Sequence, residues 1–358
     1  MKSSGIGGQA VLEGIMMRNG GKYAVAVRKP DKEIVVDVKR HRGLTDKHKF
    51  LNVPFIRGVF KFAESLSVGI KTLTYSASFF EDEEEESKKI TDEVENRAVV
   101  ATNEEIKNDI VDKPENKAKK EKDPEKEKKI EDILMVLTVC FSVAFSVFLF
   151  IVLPFLVAEF LRKVLNVQSN VVIATAEGIV KVLIFITYIV LISKMKDIQR
   201  TFMYHGAEHK CINCIENGLE LNVENVRKSS RIHKRCGTSF LLFVVVISII
   251  CFILVSVVIP QASSGWLKLV VRLILIPVIA GISFEILRLA GNSDNKLINA
   301  ISKPGMMLQK LTTKEPDDDM IEVGIASVEA VFDWKKYLKE NFDIDCSVDN
   351  INDGTVEA

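Results

Sequence analysis

Four apolar stretches after residue 132 constrain the fold of this chain more than any other feature. Each has about 20 consecutive residues that are nearly free of charge, the length that a helix needs to cross the hydrocarbon core of a bilayer. Within a bilayer the backbone polar groups must be bonded inside the segment, so these stretches predict helices. The predicted transmembrane spans are residues 133–158, 171–193, 239–259 and 267–289.

The first 80 residues predict a small cytoplasmic unit that contains β-structure. Alternating apolar and polar residues in 23–28 and 33–38 predict an antiparallel hairpin, with its turn at Lys29–Lys32. The glycine-rich segment that precedes the hairpin is expected to form a tight turn. Residues 53–80 predict a helix that charged residues interrupt too often for it to span a bilayer, so we expect it to pack against the membrane or the protein.

Two further segments lie outside the spans. Residues 81–132 are dominated by Glu, Asp and Lys and predict a disordered charged linker, because such a segment cannot bury enough apolar surface to fold. Residues 291–358 predict a cytoplasmic helical tail. In this tail Glu315–Asp319 has the proline and acids typical of a helix start, and an amphipathic helix with an apolar face follows it.

Basic residues predict the orientation of the spans. The segment between the second and third spans, 194–237, is rich in Lys and Arg, whereas the other two connections are short and carry few. By the positive-inside rule this segment and both termini face the cytoplasm. The fold class predicted is therefore a membrane α-helical protein with four transmembrane helices, located in the cell membrane.

Composition limits the expected partners. The 48 basic residues balance 48 acidic residues, which argues against a general nucleic-acid-binding protein. The spans make the lipid bilayer the expected partner. Oligomerisation stays open, and no motif specifies a substrate.

The run H-G-A-E-H at 205–209 is the most chemically specific motif in the chain. Residues i, i+3 and i+4 of a helix share a face, so His205, Glu208 and His209 are expected to project together. In the H-x-x-E-H motif the histidines bind zinc and the glutamate handles the proton of a water molecule. A hydrogen-bonded structural cluster is the alternative, but the spacing favours a site for a divalent metal, with zinc preferred.

Two sets of ligands are compatible with the surrounding sequence. In the first set, His233 or a distant carboxylate joins His205 and His209 and leaves one coordination position open, as in catalytic sites. The second set closes a tetrahedral structural site with a C-x-x-C and an H-x-x-C pair, formed by Cys211, Cys214, His233 and Cys236. The first set predicts an enzyme and the second a zinc-stabilised loop.

Charged residues inside the spans provide further candidates. Glu285, near the cytoplasmic end of the fourth span, could supply the distant carboxylate, because acids at membrane depth tend to mark a site or a paired charge. An ion pair with Arg288 is the alternative that we weigh equally. Glu177 and Lys181 are spaced i, i+4 in the second span and are expected to neutralise each other.

Four stretches of the chain stand out as motifs: Gly7–Arg18, His205–Lys210, Arg231–Phe240 and Glu315–Asp318. Together they resemble the bacterial YqhQ family of predicted metal-dependent membrane proteins. This resemblance implies a metal site and a membrane location but no substrate.

The resemblance also bears on the choice of site residues. The residues that match recurring motif positions of the family are His205, Glu208, His209, His233 and Cys236. Cys211 departs from the pattern, which weakens the closed four-ligand site and favours a site centred on the two-histidine helix. Glu13 and Arg18, in the first motif, are additional polar candidates.

The leading functional expectation is a metal-dependent, hydrolase-like enzyme at the cytoplasmic membrane surface. His205 and His209 would bind the metal and Glu208 would act as general base or acid. The residues expected to complete or orient the site are His233, Cys236 or Glu285.

Two other function classes compete with this expectation. The first alternative is a non-enzymatic membrane scaffold in which the same residues form a structural metal site. A transporter is the weaker alternative, because it needs Glu177, Arg272 and Glu285 to line one continuous polar path.

Overall fold

The structure, a computed structural model, describes residues 2–80, 124–259, 265–292 and 295–346. Its four strands are β1 (Gly7–Val11), β2 (Gly14–Asn19), β3 (Lys22–Arg28) and β4 (Ile34–Arg40). The helices before and within the apolar stretches are α1 (Leu44–Lys47), α2 (56–80), α3 (Pro124–Val147), α4 (Leu153–Val164) and α5 (Asn170–Ile192). Those that follow are α6 (Lys196–Glu216), α7 (Val223–Lys228), α8 (Gly237–Val258), α9 (Gly265–Asn292), α10 (Lys296–Thr312), α11 (Asp318–Val331) and α12 (Trp334–Phe342).

Four helical segments in the described residues are long and apolar enough to cross a membrane, as the sequence predicts. They cover Val136–Val164, Asn170–Ile192, Gly237–Val258 and Val270–Gly291. A π-helical turn, Phe148–Val152, joins α3 to α4 in the first of them, directly before Pro154. Proline lacks the N–H that a regular α-helical turn needs, so an irregular turn at this place is expected.

The N-terminal residues form a four-stranded antiparallel sheet with the strand order β1-β2-β3-β4. The predicted hairpin is confirmed as β3 and β4. The glycine-rich segment contains the tight turn that the sequence predicts, although Gly7, Gly8 and Gly14 themselves lie in β1 and β2. The chain reverses at Leu12 and Glu13, between the paired residues Val11 and Gly14.

Strand β3 is the centre of the soluble core, because both of its faces are covered. Val25 and Val27 pack with Val68 of α2 on one face of the sheet. On the other face Ala24 and Ala26 lie in the core that α6 and α11 share. The small alanines allow these two helices to approach the sheet closely. Three segments that are far apart in the sequence therefore contribute to one folded body, namely residues 2–80, 194–237 and 295–346.

The segment predicted as a cytoplasmic loop, 194–237, is largely helical. Helix α6 begins at Lys196, four residues after the last residue of α5, Ile192, and runs for 21 residues to Glu216. It packs against β1, β2, α7 and α11. The histidine motif therefore lies on a long, tightly packed helix and not on an open connection.

The predicted helix start in the C-terminal segment is confirmed. Asp317 is the N-cap residue of α11, and Asp318 and Asp319 lie in its first turn. The apolar face that the sequence predicts packs against the protein itself, because Ile321 and Val328 are fully buried in the core shared with the sheet.

Most of the predicted charged linker, 81–123, lies outside the described residues. The remainder, 124–132, is helical and belongs to α3. The helix therefore begins nine residues before the predicted start of the first span at residue 133. Pro124 is the first residue of α3, a position where proline is compatible with a helix.

The expected pairing of Glu177 with Lys181 is wrong. The carboxylate of Glu177 binds the guanidinium of Arg272 at 2.5 Å and the ammonium of Lys268 at 3.2 Å. Lys181 instead donates to the hydroxyl of Ser248 at 3.4 Å. Glu177 therefore pairs with cations of α9, although Lys181 lies one turn away on its own helix.

A glycine is required at position 206, because the backbone of Lys314 crosses α6 at this point. A Cβ atom at this position would collide with the carbonyl oxygen of Lys314, whose amide donates to the carbonyl of Phe202. We expect Gly206→Ala to lower the free energy of unfolding by about 1–3 kcal/mol, because the crossing segment must move. Thermal unfolding of the purified protein measures the change.

Gly237→Ala is the matched control. A Cβ atom at Gly237 meets nothing within 4 Å, and alanine favours a helix over glycine by at most about 1 kcal/mol. Its unfolding temperature should be unchanged or higher. Equal unfolding temperatures for the two variants would contradict the close crossing at α6.

Candidate metal centre

The second half of α6 is buried on almost all sides, so its polar side chains require partners inside the protein. The ammonium of Lys210 donates to the carbonyls of Arg227 and Ser229, at 2.8 and 2.9 Å. The amide of Asn213 donates to the carbonyls of Ser230 and Ile232, at 2.6 and 3.0 Å. These bonds hold the segment 227–232 against the helix, directly beside the histidine motif.

Backbone carbonyls fix both histidines of the motif. Nδ1 of His205 lies 2.9 Å from the carbonyl oxygen of Thr312, and Nδ1 of His209 lies 2.7 Å from that of Arg231. A carbonyl only accepts, so each Nδ1 carries the proton and donates it. The lone pair of each ring is therefore on Nε2, in the tautomer that binds metals in many protein sites.

The free Nε2 atoms converge with the sulfur of Cys236. Sγ of Cys236 lies 3.3 Å from Nε2 of His205, and ligand atoms of His205, His209 and Cys236 all lie within 4.8 Å of one another. In a tetrahedral zinc site with ordinary bond lengths, nitrogen and sulfur ligands are about 3.5 Å apart. Within the described part of the chain, this arrangement fits a divalent metal such as zinc.

Glu208 lies beside the same group. Its Oε2 is 3.8 Å from Nε2 of His205 and 3.6 Å from Nε2 of His209. Burial raises the pKa of Glu208, while the neighbouring His205 and the amide of Gly8 act in the opposite direction. The carboxyl therefore holds its proton at higher pH than an exposed glutamate does.

Gly8 of β1 allows the sheet to cover Glu208. A Cβ atom on Gly8 would lie 2.8 Å from Cγ of Glu208 and 2.7 Å from the carbonyl oxygen of Met16. Only glycine lets the strand come this close. The strand encloses the buried side of the site, whereas His205 remains partly open, with 16% of its side chain exposed.

His233, predicted as a ligand, is placed outside the cluster. Its Nε2 lies 3.3 Å from the carboxylate of Glu216, and its Nδ1 lies 3.4 Å from the backbone amide of Arg235. Both ring nitrogens are thus engaged within the protein. Burial lowers the pKa of His233, which favours the neutral ring, and the hydrogen bond to Glu216 only partly offsets this.

Glu216 forms a buried anchor for the N-terminus. Its carboxylate accepts from the amide and the hydroxyl of Ser4, both at 2.7 Å, and from the guanidinium of Arg235. Burial would raise the pKa of Glu216, but His233, Arg235 and Ser4 lower it to about 2. The ionised carboxylate ties residues 2–6 to the end of α6.

The closed four-ligand site is not assembled. Sγ of Cys214 donates to the carbonyl of Glu220 at 3.2 Å, and Cys211 packs against Gly324 of α11. Burial raises the pKa of Cys214 to about 11 and that of Cys211 well above its ordinary value. Both thiols are neutral groups in the core, and of the predicted second set only Cys236 approaches the histidines.

Glu285 is also placed away from the cluster. Its carboxylate binds the guanidinium of Arg57 through two hydrogen bonds of 2.7 and 2.5 Å, and Arg288 lies 4.0 Å from it. The alternative of a paired charge therefore describes this residue. Its main partner, Arg57, lies on α2. The beginning of α2 crosses α9 close to Gly281.

The two candidates from the first motif pair elsewhere. Glu13 binds Arg200 and accepts from the hydroxyl of Tyr204 at 3.1 Å, so it joins the sheet to α6 one turn before the histidines. Arg18 binds Glu64 of α2 at 2.8 Å. Both residues hold the soluble unit together and do not enter the cluster.

Sequence reasoning missed the residues that position the site. The carbonyls of Thr312 and Arg231 carry no signal in the sequence, because every residue has a carbonyl. Gln309 could have been noticed as a polar residue in an apolar helix face. It is fully buried, accepts from the amide of His233 at 2.9 Å and donates to the hydroxyl of Ser239 at 2.9 Å.

Comparisons with known proteins bear on the family. The model of a family described as "Protein of unknown function (DUF1385)" matches residues 53–334. The "Uncharacterized protein YqhQ" of Bacillus subtilis (strain 168) is 31% identical over 340 residues, which is 94% of this chain and 94% of that protein. No solved structure matches the chain. The resemblance inferred from the four motifs is confirmed, and the metal dependence stays a proposal.

The low pKa of Glu216 predicts how stability depends on acid. A carboxyl whose pKa falls from 4.5 to about 2 on folding stabilises the protein above pH 4.5, by roughly 3 kcal/mol, and loses this contribution as the pH falls through 2. Glu216→Gln cannot ionise, so the wild type should unfold at a higher temperature near neutral pH. This difference should shrink between about pH 5 and pH 2.

Thermal unfolding of both proteins over this pH range tests the prediction. Because other acids titrate in both proteins, the difference between them isolates Glu216. A difference that stays constant down to about pH 2 would contradict the assignment of an ionised, buried Glu216.

Proposed function

The chain belongs to the DUF1385 family, and we propose that it is a multi-pass membrane protein that uses a divalent metal, preferably zinc, for hydrolysis at the cytoplasmic membrane surface. One observation carries the proposal: the free Nε2 atoms of His205 and His209 converge with Sγ of Cys236 while both Nδ1 atoms are held by carbonyls. Ligands oriented in this way before a metal arrives lower the cost of ordering the site.

Each residue has a role that follows from its position. His205, His209 and Cys236 would hold the metal. When bound, such an ion supplies Lewis acidity, which polarises a substrate oxygen and makes water more acidic. Glu208 would take the proton of the attacking water at Oε2 and return it to the leaving group. A carboxylate beside the metal-binding nitrogens can accept this proton and give it back as a carboxylic acid.

The position of the site supports chemistry at a membrane surface. Cys236 is the N-cap residue of α8, the third long apolar helix, so one ligand lies directly where that helix begins. The other two ligands lie on α6, which follows α5 after a short turn. The partly exposed ring of His205 marks the side from which a substrate would approach.

A membrane scaffold with a structural metal site is the second candidate function. The observation in its favour is that Oε2 of Glu208 lies at a ligand-like distance from both Nε2 atoms. In that case Glu208 would be the fourth ligand, and no position would be open for a substrate.

The transporter alternative has less support. Glu177 and Arg272 bind each other, whereas Glu285 binds Arg57 at the other end of α9. About 20 Å of helix separate Arg272 from Glu285. Among the described residues these charges form two closed ion pairs and not one polar path.

Metal content and a glutamate substitution distinguish the first two functions. We expect His205→Ala and Cys236→Ser to lose bound metal. Loss of a residue that hydrogen-bonds to a metal ligand lowers metal affinity by roughly 10–100-fold, and loss of a ligand itself should lower it further. Glu208→Gln should keep the metal and its unfolding temperature and lose function in cells. Elemental analysis of the purified protein and complementation of a deletion strain are the measurements.

Cys214→Ala is the matched control for Cys236→Ser, since Cys214 is a buried cysteine outside the cluster. It should keep the metal. Loss of metal in Glu208→Gln would favour the scaffold, and wild-type protein without zinc, iron or manganese would overturn both functions.

The orientation in the membrane is tested separately. We expect both termini and the α6–α7 segment to face the cytoplasm, because the basic residues between the second and third spans lie there. Reporter fusions after Lys194 and after Cys346 should be active in the cytoplasm, and a fusion after Asn166 should be active outside. The reverse pattern would contradict the proposed orientation.

A further inference from the structure

A second group of charged side chains lies among the long apolar helices. It involves the first halves of α5 and α9, which are remote from the histidines. Its members are Glu159, Glu177, Lys181, Lys268 and Arg272. About 22 Å of helix separate Glu177 from the end of α5 that leads to α6. Charges inside apolar spans are costly to bury and are therefore expected to serve a site or a specific pair.

Glu177 is the centre of this group and pairs with two cations of α9. Arg272 binds its two carboxylate oxygens, each at 2.5 Å, and Lys268 lies 3.2 Å from one of them. The exposed fractions of Glu177 and Arg272 are 3% and 6%, so the pair is withdrawn from solvent. The direct partners of Glu177 within ion-pair distance are thus Arg272 and Lys268, and not Lys181.

The cations of the group outnumber its carboxylates. Lys181, Lys268 and Arg272 carry three positive charges against the two negative charges of Glu177 and Glu159. Glu159 lies 3.7 Å from Lys268 and also 3.7 Å from Arg162, so it is shared. The connection 260–264 contributes no acidic residue to this end of the bundle. Among the described residues, at least one positive charge of this group therefore has no carboxylate to match it.

Lys181 carries this excess charge. It lies near the middle of α5, and the partners that the described residues give its ammonium are the hydroxyl of Ser248 at 3.4 Å and the ring of Phe252 at 4.7 Å. An ammonium has three N–H donors, so two remain for another acceptor. A cation inside an apolar span that has one hydroxyl partner is expected to require a further acceptor.

Aromatic rings flank the cations on two sides. Phe252 lies under both Lys181 and Arg272, at 4.7 and 4.9 Å, and Phe155 lies under Lys268 at 4.7 Å. The group thus combines N–H donors with apolar walls. This combination suits an anion that is attached to an apolar chain.

We propose that this group binds the phosphate of a negatively charged ligand between α5 and α9, with Lys181 and Lys268 as its main donors. A phosphodiester carries one negative charge, which matches the excess of one positive charge, and its oxygens accept from several ammonium N–H groups at once. The phosphate could belong to an anionic phospholipid or to a soluble phosphate compound. The inference is independent of the metal centre.

Lipid binding to the purified, full-length protein tests the proposal. The protein is placed in phosphatidylcholine nanodiscs that contain a minor fraction of phosphatidylglycerol, and retained lipid is counted by native mass spectrometry. Inorganic phosphate is the soluble probe, with thermal stabilisation as its readout. Lys181→Met should weaken binding of the effective probe by about tenfold or more, because a charge-assisted hydrogen bond is lost.

Two variants control the test. Lys163→Met removes an exposed cation near the same end of the bundle, outside the group, and should bind like the wild type. Lys181→Arg keeps the charge and should retain most of the binding, which separates loss of the site from loss of the fold.

Each outcome decides the proposal. Retention of phosphatidylglycerol that Lys181→Met abolishes supports a lipid source, and stabilisation by inorganic phosphate that the same variant abolishes supports a soluble source. Binding of neither probe, or equal effects of Lys181→Met and Lys163→Met, overturns the proposal. Metal content stays unchanged in all these variants, so failure here leaves the proposed hydrolase unaffected.

Discussion

Two hydrogen bonds from histidine Nδ1 atoms to backbone carbonyls orient the candidate metal site. With Nδ1 of His205 and His209 donating to Thr312 and Arg231, both lone pairs point from Nε2 toward the sulfur of Cys236. The carbonyls come from the end of α10 and from the segment before α8, which are far apart in sequence. The histidines therefore take up these orientations only when α10 and the segment before α8 are packed against α6.

Buried polar residues hold these two carbonyls in register. Gln309 joins α10 to the backbone of His233 and to the hydroxyl of Ser239 at the start of α8. Glu216 joins the end of α6 to Arg235 and to the N-terminal residues. An unpaired polar group in these positions would cost about 1–3 kcal/mol, so each bond favours a single arrangement of the segments. The same contacts bring β1 over Glu208 and close the buried side of the site.

Local patterns predicted the elements, whereas contacts between distant segments decided the site. The four apolar helices, the β3–β4 hairpin and the start of α11 followed from hydropathy, alternation and capping. Helical spacing also placed His205, Glu208 and His209 together. It could not separate Cys236 from His233, because a turn at Lys234 and Arg235 lies between them and sends one side chain to His205 and the other to Glu216. Glu285 was unpredictable for a similar reason, since its partner Arg57 comes from α2.

The central claim is that two histidine nitrogens and one cysteine sulfur form a metal site at the membrane surface. X-ray absorption spectroscopy of the purified, zinc-loaded protein tests it most directly. We expect about two nitrogen neighbours near 2.0–2.1 Å and one sulfur neighbour near 2.3 Å. The sulfur contribution should disappear in Cys236→Ser and persist in Cys214→Ala. A zinc environment with no sulfur, or one with several sulfurs, would contradict the claim.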